Sequence, residues 1–282
     1  MRIVVTGAHG MVGRAVVRVA LEREIDVIAL SRSDLDITDE VSVKRVIADL
    51  QPDAVLNCAA YTNVDAAESN QALCDKVNIA GVENLAGACR TSGSAFVTIS
   101  TDYVFDGARS GFYTQRDTPV PIGVYARSKR EGEKRAFSVY PRSIIVRTGW
   151  IFGRGGNNFL SNLAGLLAAG TQVNAISDCF GTPTYGPDLA SRLIDLAIAD
   201  LPGVYHVVNS GPGCSYYEFA KKICEIGGLD DSLVQAVTFD QLERPAPRPT
   251  NSRLKCLITN KLGFPPMPDW EAALSKFLGN DN

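Results

Sequence analysis

Short runs of consecutive apolar residues alternate along this chain with longer stretches whose apolar positions recur every three or four residues. The first run, Arg2–Thr6 (RIVVT), predicts a strand buried on both faces, as in a parallel sheet. Met11–Glu22 then has helical spacing. The alternation continues through strand Asp26–Leu30, helix Asp39–Leu50, strand Ala54–Asn57, a long helical stretch around Leu73–Arg90, strand Ala95–Ser100, helix Tyr125–Phe137 and strand Ser143–Arg147. This order predicts an α/β fold with a Rossmann-type, doubly wound parallel sheet. Ligands of such sheets bind beyond the strand carboxyl ends, where Gly7, Ser31, Ala59, Thr101 and Gly149 fall.

After Gly153 the pattern loosens into short elements punctuated by Gly155-Gly156-Asn157-Asn158, Pro183, Pro187 and the Pro245–Pro249 segment. We expect a dinucleotide-binding domain over 1–153 and a smaller substrate-binding lobe made mainly from 154–282. A late strand such as Val204–Val208 is a candidate to return to the main sheet.

Bulk properties narrow the function. The composition, 45% hydrophobic and 21% charged, is that of an ordinary soluble protein. A net charge of −3 without a long basic run argues against nucleic acid or an anionic membrane as partner. No apolar stretch approaches the roughly 20 residues of a membrane span, and Met1-Arg2 leads directly into a strand, which predicts no signal peptide. Seven scattered cysteines without C-x-x-C, beside only two histidines, argue against a zinc site and for reduced thiols in a cytoplasmic protein.

Candidate chemistry begins at Gly7-x-x-Gly10-x-x-Gly13, which follows a strand and opens a helix. Glycine there lets backbone approach a pyrophosphate and presents helix N-terminal amides to it. Tyr125 and Lys129 lie one helical turn apart, so both project from one face. A fixed ammonium beside a phenol favours the phenolate and makes tyrosine a proton donor nearer neutral pH. The same spacing recurs at Tyr217 and Lys221, with no glycine turn before it, and reads there as a solvated helix face. Thr101, at a strand end, would offer a hydroxyl to a substrate carbonyl beside Tyr125. Ser31-Arg32 closes the second strand with an arginine where an acid would select NAD, which favours NADPH and leaves NADH open. Asp36 and Ile37 are candidates for the adenine edge. Asn78 either anchors a relay water or is simply packed. Trp150 faces the expected crevice, and Arg244 and Arg248, in a proline-stiffened loop, suit a diphosphate.

The segments VTGAHGMVG (5–13), LDIT (35–38), PDAVLNCAAYTNVDAAE (52–68), STDYVFDG (100–107), VYARSKREGE (124–133), RTGWIFGRGGNNF (147–159), DCFGTPT (178–184) and RPAPRPTNSRL (244–254) together resemble the dTDP-4-dehydrorhamnose reductases, a branch of the extended short-chain dehydrogenase/reductases. The resemblance spans nearly the whole chain. It implies NADPH-dependent reduction of the C4 ketone of dTDP-4-dehydro-L-rhamnose to dTDP-L-rhamnose, by a monomer or homodimer. It implies Thr101, Tyr125 and Lys129 as catalytic trio, and Asp102, Tyr103, Val104 and Trp150 at the sugar. It also implies Gly7, Gly10, Met11, Val12, Asp36, Ile37, Ala59, Ala60 and Thr62 at the cofactor, with Gly13, Ser31 and Arg32 beside them. Ala126 replaces the usual glycine after the catalytic tyrosine. Ala15 stands where some members carry a glutamate linked to a magnesium-bridged dimer, which leaves a Mg²⁺ requirement open. Two alternatives stand beside this reading. One is a non-catalytic NADP-binding regulatory subunit similar to that of methionine adenosyltransferase, and the other is an epimerase or dehydratase of the same superfamily.

Overall fold

The computed structural model describes residues 1–279. Its first half runs β1 (Arg2–Thr6), α1 (Met11–Glu22), β2 (Asp26–Leu30), α2 (Glu40–Leu50), β3 (Ala54–Asn57), α3 (Val64–Ser69), α4 (Gln71–Asp75), α5 (Gly81–Ser92), β4 (Ala95–Thr101), α6 (Val124–Val139) and β5 (Ile144–Thr148). The later half adds β6 (Ile151–Phe152), α7 (Phe159–Ala168), β7 (Val173–Ile176), β8 (Phe180–Gly181), β9 (Thr184–Tyr185), α8 (Gly186–Ala199), β10 (Gly203–His206), β11 (Cys214–Ser215), α9 (Tyr216–Gly227), β12 (Val234–Val237) and α10 (Trp270–Gly279).

Six strands form one parallel sheet in the order β2-β1-β3-β4-β5-β10. Every residue of β3 and of β5 is buried, which is why both read as unbroken apolar runs. Alternate residues of each strand serve opposite faces. Ile3, Val5 and Val97 meet Val16 and Ala20 of α1 and Leu189 and Leu193 of α8. Val4, Val55 and Phe96 meet Val43 and Ile47 of α2, Leu85 of α5 and Ala136 of α6. The late strand returns as expected: Gly203–His206 pairs with β5 and extends the sheet.

A second core gathers Phe152, Leu160 and Leu163, Val173, Phe219 and Ile223, Trp270 and Leu274. It is built on α7, α9 and α10, beside the parallel pair β7–β12. The stretch around Leu73–Arg90 is not one continuous helix. A π-turn, Lys76–Ala80, joins α4 to α5.

From β1 the chain first moves outward to β2, then crosses to β3 on the other side of β1. That reversal is a topological switch point, and it opens a crevice beyond the carboxyl ends of β1 and β3. Gly7 turns the chain there with φ +67°, and a Cβ on it would come within 2.6 Å of the Ala59 nitrogen that follows β3. Only glycine satisfies both the left-handed backbone and this approach.

Candidate active site

The floor of the crevice is a buried polar ladder across three strands. The Thr6 hydroxyl donates to Asn57 Oδ1 (2.8 Å), Asn57 Nδ2 donates to Thr98 Oγ1 (3.0 Å), and the Ala59 amide donates to Asn57 Oδ1 (3.1 Å). The ladder satisfies these groups and fixes the loop after β3. At the crevice mouth α1 begins at Gly10 with no side-chain cap and no acidic residue in its first turn. An uncapped helix start of this kind suits a pyrophosphate, because its orphan amides and dipole favour an anion. Gly10, Met11, Val12 and Gly13 line a cavity of about 690 Å³ together with Ala59, Ala60 and Thr62. Arg14, unnoticed in the sequence, ties this turn to the loop after β6. Its guanidinium donates to the carbonyls of His9 (2.6 Å) and Gly155 (2.7 Å).

Thr101, Tyr125 and Lys129 line the same cavity. Thr101 ends β4, while Tyr125 lies in the first turn of α6 and Lys129 one turn later. Burial pushes the partly buried Tyr125 phenol above its ordinary value, and the neighbouring Thr101 hydroxyl opposes that shift. The expected control of the phenol by Lys129 is not among the main influences on it. The Lys129 ammonium is turned onto the Ile99 carbonyl, to which it donates at 2.7 Å. Burial lowers the Lys129 pKa to about 8, with Glu133 acting in the opposite direction. Glu133 itself is held below the usual carboxylate range despite its burial. Arg147 donates to it through two nitrogens (2.8 and 2.7 Å), Ser100 at 2.6 Å and Arg130 at 2.7 Å.

Asp102 is buried against Gly149, and its Oδ1 accepts from the Thr101 hydroxyl at 3.0 Å. Burial raises its pKa to about 6, with the neighbouring Ser252 and Thr101 acting in the opposite direction. The Tyr103 ring meets Tyr125 edge-on with centroids 6.4 Å apart. Trp150 has a left-handed backbone, φ +51°, which costs a non-glycine residue roughly 1–3 kcal/mol. That turn lays its indole on the Tyr216 ring, with centroids 3.8 Å apart. Tyr103, Trp150 and Tyr216 are shared with a second cavity of about 240 Å³, whose far wall includes Arg244 and Arg248. Both arginines reach Asp65 of α3, Arg248 through two nitrogens at 2.9 and 2.8 Å and Arg244 at 3.5 Å.

Other expected site residues fall elsewhere. Val104 does not border the crevice: it is fully buried with Phe105, Tyr113, Val208 and Leu254, because the short 3₁₀ turn over Asp102–Val104 points it inward. Gly7 makes the turn itself, packed on Ala59, and does not line the cavity. Ser31, Arg32, Asp36 and Ile37 follow β2 and do not line either cavity. Ser31 is buried with its amide and hydroxyl on Asp34, Arg32 is exposed 4.0 Å from Asp36, and Ile37 packs in the core. Asn78 is packed. Its amide accepts from the Tyr61 nitrogen (2.9 Å) and donates to the Tyr61 carbonyl (3.1 Å) and Ser128 (3.0 Å). Lys221, of the decoy pair, forms an ion pair with Asp231. Among the described residues no cluster of three His, Cys, Asp or Glu could hold a metal, and no helix is long and apolar enough to cross a membrane.

Comparison with known proteins gives this geometry a lineage. The model of the RmlD substrate binding domain family matches residues 1–282. A dTDP-4-dehydrorhamnose reductase of Streptomyces griseus is 40% identical over 281 residues, covering 98% of this chain and 92% of its own. One from Mycobacterium tuberculosis (strain CDC 1551 / Oshkosh) is 39% identical over 283 residues, with the same coverage. The crystal structure of dTDP-4-dehydrorhamnose reductase from Bacillus anthracis str. Ames in complex with NADP superposes with a TM-score of 0.94 at 36% identity, over 98% of each chain. A match of this extent leaves no part of the crevice outside the shared fold, and the chain belongs to the RmlD substrate binding domain family.

Proposed function

We propose that this chain reduces the C4 ketone of dTDP-4-dehydro-L-rhamnose to dTDP-L-rhamnose with NADPH. The observation that carries the reading is the convergence of Thr101, Tyr125 and Lys129 on one cavity, between an uncapped helix start and a second cavity bearing two arginines. The residues present fit the cofactor: the α1 amides suit its pyrophosphate, Lys129 a ribose hydroxyl, and the solvent-facing Arg32 a 2′-phosphate. When bound, the dihydronicotinamide supplies the hydride that C4 accepts.

Tyr125 gives its proton to the C4 oxygen as negative charge develops there, a role worth about 10² to 10⁴ in rate. Thr101 holds the phenol and the ketone oxygen in register. Lys129 favours the phenolate left behind, once a ligand draws its ammonium from the Ile99 carbonyl. Trp150, Tyr103 and Asp102 border the sugar, and Arg244 and Arg248 take the diphosphate. The segment after 153 supplies most of this substrate lobe. The work is done in the cytoplasm by a monomer or homodimer, a placement supported by seven cysteines none of which is paired.

The test is NADPH consumption by the purified chain with the ketone generated in situ, and identification of the sugar formed. Stoichiometric dTDP-L-rhamnose is the expected product. NADPH binding without turnover would favour the regulatory reading.

A further inference from the structure

Helix α3 carries two carboxylates that reach into different parts of the site. Asp65, in its first turn, is gripped by Arg248 as a two-pronged fork, with Nη1 to Oδ1 at 2.9 Å and Nη2 to Oδ2 at 2.8 Å. Its Oδ1 also accepts from the Ala246 amide at 3.3 Å, and its Oδ2 from Arg244 at 3.5 Å. One turn later, Glu68 accepts the Val124 amide at 2.8 Å. That amide opens the helix bearing Tyr125, whose N-cap position is Gly123, a residue with no side chain to cap it. Glu68 therefore stands in for the missing cap. Both contacts are long-range, spanning 183 and 56 residues.

A guanidinium has five N–H donors. Arg248 spends two on Asp65 and one on the Ala246 carbonyl (3.1 Å), and its side chain is only 16% exposed at the cavity wall. The fork fixes the plane of the group, so the remaining donors keep one direction without further loss of rotamer freedom. The cluster of Arg244, Arg248 and Asp65 still carries a net positive charge, which suits an anion. Prolines 245, 247 and 249 stiffen the segment that bears both arginines.

We propose that Asp65 is the positioning residue for the nucleotide end of the substrate: it aims Arg248 at the diphosphate, and does so only through that arginine. The proposal rests on the nucleoside-diphosphate-sugar reading above. Asp65 does not touch the reacting atoms, so its loss should appear in binding of the nucleotide rather than in the chemical step.

The test is a double-mutant cycle of Asp65→Asn and Arg248→Ala, read by calorimetric dissociation constants for dTDP alone and by KM and kcat of the complete reaction. Arg248→Ala should weaken dTDP by about tenfold or more and Asp65→Asn by about fivefold, the scale of a lost or misaimed charge-assisted contact. Asp65→Asn should raise the sugar-nucleotide KM in parallel while kcat and the NADPH dissociation constant stay within about twofold, since only uniform binding is lost. Adding Asp65→Asn to Arg248→Ala should change nothing more. Additive losses would overturn the proposal, because Asp65 would then act outside Arg248. So would tighter dTDP binding by Asp65→Asn, which would make Asp65 a mere neutraliser, or an equal loss of NADPH binding, which would mean that α3 has moved. A parent chain that binds no dTDP overturns the assignment outright. A parent that binds dTDP but reduces no ketone refutes the reaction while the binding cycle still decides the role of Asp65.

Discussion

The Asp102 carboxyl, 3% exposed beneath Gly149, is pushed up by burial to about 6 from an ordinary 3.8. The folded chain thus binds this proton more tightly than the unfolded one. The stability it contributes is complete below about pH 3.8 and is lost as pH rises through about 6. His206 has the opposite sign: burial lowers it from 6.5 to about 4, so its contribution is present above 6.5 and lost as pH falls through 4. Between these limits the two groups oppose each other, and only a variant separates them. Asp102→Asn should gain about 2 kcal/mol over the parent between pH 4 and pH 8 in urea unfolding, by linkage. A difference independent of pH would contradict the buried-acid assignment. Residue chemistry was partly legible in the sequence. Thr101, Tyr125 and Lys129 stand out because a strand end and a helical turn are local patterns. Arg14, Asp65 and Glu68 were invisible, since their partners lie 141, 183 and 56 residues away. Val104 was expected at the sugar only through its place in the STDYVFDG segment, and the short turn after β4 buries it instead.

Elements were read more securely than their joints. The helix expected from Tyr125 begins one residue earlier, at Val124, where the Glu68 contact supplies the start that the local sequence lacks. The π-turn over Lys76–Ala80 escaped notice because apolar spacing runs on through it. Its consequence is concrete, since the turned Asn78 amide holds both backbone groups of Tyr61 beside the crevice. The short β8 was also hidden, though it positions a site residue. A Cβ at its Gly181 would collide with the Trp150 indole, so the ring occupies space that only glycine leaves open. Gly181→Ala should displace Trp150 from Tyr216, change the tryptophan emission and raise the nucleotide-sugar KM by about tenfold, with NADPH affinity retained. Unchanged emission and KM would show that the indole has room to shift without effect on the site.

At the scale of the molecule, two hydrophobic cores meet along the crevice. The sheet and its helices carry the glycine turn and the Thr-Tyr-Lys group, and the second core carries the aromatic wall. The doubly wound order was legible from strand–helix alternation. What was not legible is how the later chain divides, because α8 and β10 complete the main sheet while α7, α9 and α10 build the second core. Short elements between prolines and glycines hold too few residues to reveal which core they join. The Arg248–Asp65 pair ties the proline-rich loop of the later chain to α3 of the first half. The central claim is that this crevice delivers a proton from Tyr125 to a ketone reduced by NADPH. The measurement that tests it most directly is steady-state turnover of dTDP-4-dehydro-L-rhamnose by Tyr125→Phe beside the parent, with NADPH affinity measured on both. The account predicts turnover lower by at least about 100-fold with NADPH affinity nearly unchanged. Near-parental turnover in Tyr125→Phe would contradict it and assign the proton to another group.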